Sequence, residues 1–288
     1  MRKVLLQFDS DPHPSPFDAI AAIDSDVDVL LPYGGVGVDD IPGLVQSAMF
    51  PRGPTGLVNT AIWIGGSRVR DGEALLRATL EVFFDPFRLS VMHDSNGCNT
   101  TACAAITRVR SAVSLSGARA VVVGAGPVGL RAAELLRREG ADVAICGLPS
   151  DLFGAGPYRR ATGLTIAEQL GLPVIEPLSS PALREALDGA RVVLCSAPAG
   201  LRVLAREAWE GIASIEVIVD ISATEPVGVE GVAPGDDLAP RAGKLALGAL
   251  AVGGPKMKLQ RACVRRLFEA PGQLLDLDGV YDLALALG

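Results

Sequence analysis

The sequence predicts an α/β protein with two successive units of parallel sheet and C-terminal helices that pack back on the first unit. Three observations lead there. Strand-like and helix-like runs alternate over most of the 288 residues, which implies mostly parallel strands with helices on both faces. A glycine-rich turn in VVVGAGPVGLRAA separates an apolar strand run from an amphipathic helix. The last thirty or so residues break the alternation with two amphipathic helical runs.

In the first unit, Lys3–Phe8 reads as a strand. Ser15–Ile23 reads as a helix with Ser15 as N-cap and Pro16 at its first position. Val27–Leu31 is a second strand and Asp39–Met49 a short helix with Pro42 near its start. Thr60–Ile64 is a strand closed by Gly65-Gly66, Asp71–Phe84 is apolar at helical spacing, and Arg88–Met92 is another strand. Asp94, Ser95, Asn96, Gly97 and Asn99 then form a turn and helix-start signal, and the alanine-rich helix from Thr101 leads out of the unit.

The second unit places strands at Arg119–Val123, Ala141–Cys146, Pro173–Ile175, Arg191–Cys195 and Glu216–Asp220. Helices fall at Pro127–Glu139, Thr162–Leu170 and Pro181–Leu187. PKMKLQRACVRRLFEA, starting at Pro255, is a long helix, and Asp278–Leu287 is another. The domain boundaries expected from this pattern are 1–113 with about 255–288 for one domain, and 114–254 for the other.

Composition excludes several functions. The net charge is −7 and no basic stripe is visible, which argues against a nucleic-acid partner. No apolar run approaches membrane-spanning length and the N-terminus lacks a signal-peptide core, so no membrane association and a cytoplasmic location are expected. Cys98, Cys103, Cys146, Cys195 and Cys263 have no CxxC spacing, and His13 and His93 are isolated. No metal site is expected, and scattered cysteines fit reduced thiols in the core.

Gly124-x-Gly126-x-x-Gly129 carries the clearest chemistry. With a strand before it, a helix after it and a further strand at the right distance, it is a Rossmann-like dinucleotide signature. Gly124 permits the tight turn, Gly126 lets the backbone approach a pyrophosphate, and Gly129 lets helix and strand pack closely. Pro127 and Val128 open the helix whose N-terminus faces the phosphates. The 114–254 segment is therefore the NAD(P)-binding domain, and the first unit, without such a fingerprint, the substrate domain. The strand ending at Cys146-Gly147-Leu148 lacks the acid that usually binds an NAD ribose. Arg159 and Arg160 downstream suit a 2′-phosphate, so NADP is favoured. Asp151 keeps NAD open. Ala197, Pro198 and Ala199 after one strand, and Asp220 ending another, are expected on the cofactor side.

Four blocks, QFDSD-x-x-PSPFD, DSNGCNTTA, VVVGAGPVGLRAA and LGALAVGGPKMKLQRACVRRLFE, occur in an order that resembles the NADP-dependent methylene-tetrahydromethanopterin dehydrogenases of methylotrophic bacteria. The resemblance spans nearly the whole chain. It implies oxidation of methylene-tetrahydromethanopterin to the methenyl form with hydride transfer to NADP⁺, a role in one-carbon (formaldehyde) metabolism, and a homo-oligomer. Relatives of this kind often carry Arg where this chain has Leu148, which leaves NAD open.

Within the resembling blocks, Ser15, Asp18, Asn96, Asn99, Thr100 and Thr101 are the expected pterin-binding residues, and each also reads as a helix cap. Lys256 is the expected catalytic residue. It follows Gly253-Gly254-Pro255, at the predicted start of the last long helix, in a chain whose lysines are Lys3, Lys244, Lys256 and Lys258. Related two-domain folate enzymes hydrolyse the methenyl product with a substrate-domain lysine. The first 113 residues hold only Lys3, so dehydrogenase activity without cyclohydrolase activity is expected. A methylene-tetrahydrofolate dehydrogenase, a shikimate-type dehydrogenase and a non-catalytic nucleotide-binding paralogue are the alternatives.

Overall fold

A computed structural model of the chain describes residues 1–153 and 162–288. In chain order the elements are β1 (Val4–Phe8), α1 (Pro16–Ile23), β2 (Val29–Tyr33), α2 (Ile41–Met49), β3 (Thr60–Ile64), α3 (Val69–Val82), β4 (Ser90–His93) and α4 (Cys98–Ala112). Then come β5 (Arg119–Val123), α5 (Pro127–Arg138), β6 (Asp142–Cys146), α6 (Thr162–Gln169), β7 (Val174–Ile175), α7 (Ser180–Ala186), β8 (Val192–Cys195), α8 (Arg206–Trp209) and β9 (Val217–Asp220). The chain ends with β10 (Asp237–Arg241), β11 (Lys244–Leu247), α9 (Ala249–Arg266), β12 (Leu274–Leu275) and α10 (Leu277–Leu287). Two compact units result: Met1–Thr100 with Lys256–Gly288, and Thr101–Pro255. The divisions fall inside α4 and α9, so the last helices belong to the first unit.

The first unit is built on a parallel sheet of order β12-β4-β3-β1-β2. Leu6, Ile62 and Val91 are in register across its centre. They pack with Phe8, Ile64, Leu75 of α3, and Ile41, Val45 and Met49 of α2. Full burial of each such side chain contributes roughly 1.5–3 kcal/mol. Strand alternation turns Gln7 and Trp63 to the opposite face, where the Gln7 amide donates to the Ser15 carbonyl at the start of α1. The carboxyl ends of β1, β3 and β4 carry Asp9, Gly65 and Asp94.

The second unit has a sheet of order β10-β11-β9-β8-β5-β6-β7, parallel from β11 to β7 with β10 added antiparallel. The strand order reverses between β5 and β8, the switch point outside which ligands of open α/β sheets sit. Val121, Val123, Val193, Cys195 and Ile218 form its core with Leu183, Leu187 and Trp209.

Four elements differ most from the sequence expectation. The second strand runs two residues later, to Tyr33, and accepts Pro32 because β2 is an edge strand. β10 and β11 form an unanticipated hairpin, with Ala242 and Gly243 both at positive φ. Pro240 within the strand and alanine in a turn that favours Asn-Gly hide it from pattern reading. The last long helix begins at Ala249, not Pro255, and runs through Gly253-Gly254-Pro255. Local breakers are overridden there by the burial of Leu259, Cys263, Val264 and Leu267 farther along.

Candidate active site

The first of two local arrangements is the turn after β5. Gly124 has φ +101, and a Cβ there would meet the Ser196 carbonyl oxygen at 2.9 Å. A Cβ on Gly129 would collide with Ser196 Oγ and the Gly124 oxygen. The fold itself thus requires both glycines, and Ser196 Oγ ties the turn by donating to the Gly124 carbonyl at 2.9 Å. Gly126 differs. Its φ of −75 suits any residue, and a Cβ would find nothing nearer than the Ser196 oxygen at 3.8 Å. Among the described residues no contact demands glycine at 126, so the open backbone there fits a group approaching from outside. Gly126 is also the N-cap of α5, with no capping side chain, and Pro127 is its first residue. Gly126 thus offers no side chain to cap the first-turn N–H groups at Val128 and Gly129, the arrangement that suits an anion. Ala197 is half-buried, and Pro198 and Ala199 are exposed, at the end of β8 beside this turn.

Two further acids considered for the cofactor side accept hydrogen bonds within the chain. The Asp220 carboxylate accepts from the Ser222 N–H at 2.9 Å and the Val229 N–H at 2.8 Å. It holds the 221–229 loop. Burial raises its pKa, partly opposed by those N–H groups. Asp151 accepts from the backbone and side chain of Ser180, so it is engaged at the start of α7. Arg159 and Arg160 lie outside the described residues.

The second arrangement lies in the first unit. Ser15 caps α1, with Oγ accepting from the Asp18 N–H at 3.2 Å. Its own N–H donates to the buried Asp9 carboxylate at 3.0 Å. This cap fixes Asp18 in the first helical turn, where it is only 7% exposed. Burial and the nearby Asp94 push the Asp18 carboxyl up to about 7, and Lys256 opposes them. Asp94 is fully buried at the end of β4. Thr100 donates to it twice, from Oγ1 at 2.6 Å and from N–H at 3.0 Å. Burial raises its pKa as well, with Lys256 and Thr100 opposing.

Lys256 sits 9% exposed in the interior of α9, not at a helix start. Its Nζ donates to Gln260 Oε1 at 3.0 Å and lies 4.6 Å from the centre of the Phe17 ring. A Cβ on Gly97 would come within 3.2 Å of that Nζ. Gln260 Nε2 in turn donates to Asp94 Oδ2 at 3.4 Å. Burial lowers the Lys256 pKa, while Asp94 and Asp18 raise it.

Asp18, Asp94 and Lys256 thus form one electrostatic cluster. Asn99 and Thr100 serve its framework: the Asn99 amide donates to the His93 carbonyl at 2.7 Å, and Thr100 fixes Asp94. Asn96 is exposed at φ +54. Thr101 is half-buried and belongs to the second unit. Buried thiols offer no nucleophile, with Cys146 and Cys195 both pushed up to about 12 by burial.

Residues 16–96 match the family model described as methylene-tetrahydromethanopterin dehydrogenase, N-terminal. Over 286 residues the chain is 38% identical to the protein named Bifunctional protein MdtA from Methylorubrum extorquens, covering 98% of both. It is 31% identical over 287 residues to the NAD(P)-dependent methylenetetrahydromethanopterin dehydrogenase of the same organism, covering 96% of this chain and 95% of that one. The chain belongs to the methylene-tetrahydromethanopterin dehydrogenase family. Among solved structures it is similar to the Campylobacter jejuni methylenetetrahydrofolate dehydrogenase/cyclohydrolase, with TM-score 0.49, 11% identity and coverage of 100% and 90%. It is also similar to the Thermus thermophilus shikimate 5-dehydrogenase with NADP(H) and shikimate, with TM-score 0.46, 18% identity and coverage of 99% and 99%. Both are too distant to speak for the site.

In this methylene-tetrahydromethanopterin dehydrogenase family member, sequence reading missed three residues of the cluster. Asp94 reads in the sequence as a turn former, and its neighbours draw the attention instead. Gln260 lies four residues after Lys256, so α9 puts the two side by side, a spacing that would have revealed it. Phe17 adjoins Asp18 and had no signal of its own. Lys256 and Lys258 fall in the first unit with Lys3, whereas the lysine count above covered residues 1–113 alone. The expectation of no cyclohydrolase activity therefore loses its basis.

Proposed function

We propose that the chain oxidises methylene-tetrahydromethanopterin to methenyl-tetrahydromethanopterin, with NADP⁺ as hydride acceptor, in one-carbon metabolism. The first unit holds the pterin and the second the dinucleotide. One observation carries the pterin side: two buried carboxylates, Asp18 and Asp94, share a cluster with a single cation, Lys256. Such a site favours a substrate that becomes positive as it reacts. A methylene carbon between two amine nitrogens does so, because a nitrogen lone pair stabilises the cation left when hydride departs. Preorganised carboxylates in low dielectric are then worth more than in water.

NADP⁺, when bound, supplies the hydride-accepting nicotinamide. Gly124, Gly126 and Gly129 with the α5 N-terminus at Pro127 and Val128 would hold its phosphates, and Ala197–Ala199 would leave room beside them. NADP is favoured over NAD because β6 ends at Cys146 with no acid following and Asp151 is engaged by Ser180. Ser15 aims Asp18. Asn99 and Thr100 hold the turn that carries Asp94, and Asn96 is exposed on that turn to meet the carrier. Lys256 orients the pterin and tempers the negative charge. The task of these groups is positioning, since the chemistry needs no general base.

A cytoplasmic homo-oligomer is part of this reading. Exposed Phe17, Ile20 and Ile23 on α1 support assembly, and no helix among the described residues is long and apolar enough to cross a membrane. The decisive experiment follows nicotinamide absorbance with methylene-tetrahydromethanopterin or methylene-tetrahydrofolate, each with NADP⁺ or NAD⁺. The expected best pair is methylene-tetrahydromethanopterin with NADP⁺. No reduction in any pairing would overturn the assignment.

A further inference from the structure

Gln260 joins the cation of the first-unit cluster to its deepest acid. It is fully buried, and both ends of its amide are used. Oε1 accepts from Lys256 Nζ at 3.0 Å, and Nε2 donates to Asp94 Oδ2 at 3.4 Å. Chemistry fixes this orientation. An ammonium only donates and an ionised carboxylate only accepts, so the oxygen must face Lys256 and the nitrogen Asp94. Asp94 is itself held by Thr100, so the chain Thr100–Asp94–Gln260–Lys256 runs from the β4–α4 turn to α9.

The consequence is a separation of charges. Without a spacer, a buried ammonium and a buried carboxylate this close would collapse into a direct ion pair. The neutral amide links them but keeps them apart. The ammonium has three N–H donors and Gln260 accepts one. The Met257 sulfur at 3.9 Å is a weak second partner. A further donor thus remains on the side bounded by Phe17 and Gly97. The α9 segment is steadied from outside by Arg261 on Asp24 and Arg265 on Asp26, exposed pairs of small value singly.

We propose that Gln260 is a positioning residue for the reaction: it holds the Lys256 ammonium one amide away from Asp94, with a donor left for the substrate. The proposal rests on Lys256 acting in catalysis, as read above. The groups facing this ammonium are Gln260 and Met257 from α9, Asp94 and Gly97 from the β4–α4 turn, and Phe17 and Asp18 from α1.

The test compares Gln260→Met, Gln260→Glu and Lys256→Ala with wild type, with NADP⁺ affinity and melting temperature as checks on folding. Gln260→Met should lower kcat by about ten- to hundredfold and leave NADP⁺ affinity unchanged. Gln260→Glu is the conservative rescue. A protonated glutamic acid presents a carbonyl to Lys256 and an O–H to Asp94, as the amide does. Its deficit should therefore shrink as pH falls and grow as the side chain ionises, a signature that a merely structural role would not give. Independently of turnover, acylation of Lys256 followed by mass spectrometry, with Lys3 and Lys258 as references, reads the ammonium directly. Gln260→Met should make Lys256 react at higher pH than in wild type, because the ammonium then pairs directly with Asp94, and Gln260→Glu should do the same once its side chain ionises. If Lys256→Ala keeps wild-type turnover, the catalytic reading of Lys256 fails. If Lys256→Ala is impaired while Gln260→Met matches wild type in kcat and in Lys256 reactivity, only the role of Gln260 fails. A Gln260→Glu deficit that does not shrink with falling pH also overturns it.

Discussion

The two units solve the same topological problem in opposite chemical ways. Each is a mostly parallel sheet whose strand order reverses, and each gathers its distinctive residues at carboxyl ends of central strands. The second unit offers backbone there: a turn of three glycines and a helix start without a side-chain cap. The first offers side chains: Asp18, Asp94, Lys256 and Gln260, all buried, from α1, the end of β4 and α9. A pyrophosphate is the same anion in every dinucleotide enzyme, so a local backbone motif suffices for it. A pterin that becomes a cation needs charge placed in three dimensions, and residues more than 160 positions apart supply it.

The sharpest way to break that contrast is Gly126→Val. A Cβ at this position meets nothing nearer than 3.8 Å among the described residues, so the melting temperature should stay within about 2 °C of wild type. NADP⁺ binding should weaken by roughly a hundredfold or more, because the branched carbons occupy the approach to the helix start. Gly129→Ala should do the reverse in stability, since its methyl would collide with Ser196 and Gly124. Equilibrium titration with NADP⁺ and thermal unfolding of both variants separate the two effects. A Gly126→Val protein that binds NADP⁺ normally would remove the dinucleotide from this turn.

The same contrast explains what was legible in the sequence. The Gly124–Gly129 motif, its strand and its helix are contiguous, so a short window holds the whole signal. Ser15 and Asp18 were legible for the same reason, as an N-cap and the third residue of one helix. Asp94 was hidden because Asp before Ser-Asn-Gly reads as a turn, and only its burial marks it otherwise. Lys256 stands out for its rarity, yet the sequence places it at a helix start, because Gly253-Gly254-Pro255 outweighs in sequence the packing that carries α9 through them. The loop held by Asp220 was hidden in the sequence, because its partners Ser222 and Val229 reach it through backbone N–H groups that leave no side-chain signal.

Asp18→Asn tests the first unit's half of the comparison. The carboxyl is raised from 3.8 to about 7, so the folded chain keeps its proton longer than the unfolded one. Between those pH values stability must fall as pH rises, and above about 7 the full cost of the buried charge is present. Asparagine carries no such cost. Asp18→Asn should therefore melt higher than wild type at about pH 8, and the advantage should vanish at about pH 4. Loss of a counter-charge for Lys256 offsets part of the gain, and the pH difference isolates the ionisation. Turnover should fall about tenfold or more, because a carboxylate facing the developing cation is gone. For the same reason, wild-type oxidation should weaken as pH drops through about 7. A melting difference that does not change with pH would mean that Asp18 is ionised throughout.

The smallest expected effect is also the most local. Ser15→Ala removes the oxygen that accepts from the Asp18 N–H, while the Ser15 backbone N–H can still reach Asp9. Loss of such a cap costs about 1 kcal/mol, a few degrees in melting temperature for a chain of this size. Because the cap sets the first turn of α1, the variant should also loosen Asp18, so KM for the pterin should rise more than NADP⁺ affinity falls. That asymmetry is what the two-unit contrast requires: damage in the side-chain site should be felt by the pterin, and damage in the backbone turn by the dinucleotide. A Ser15→Ala protein that weakened NADP⁺ binding as much as pterin binding would show that the two sites are not separately built.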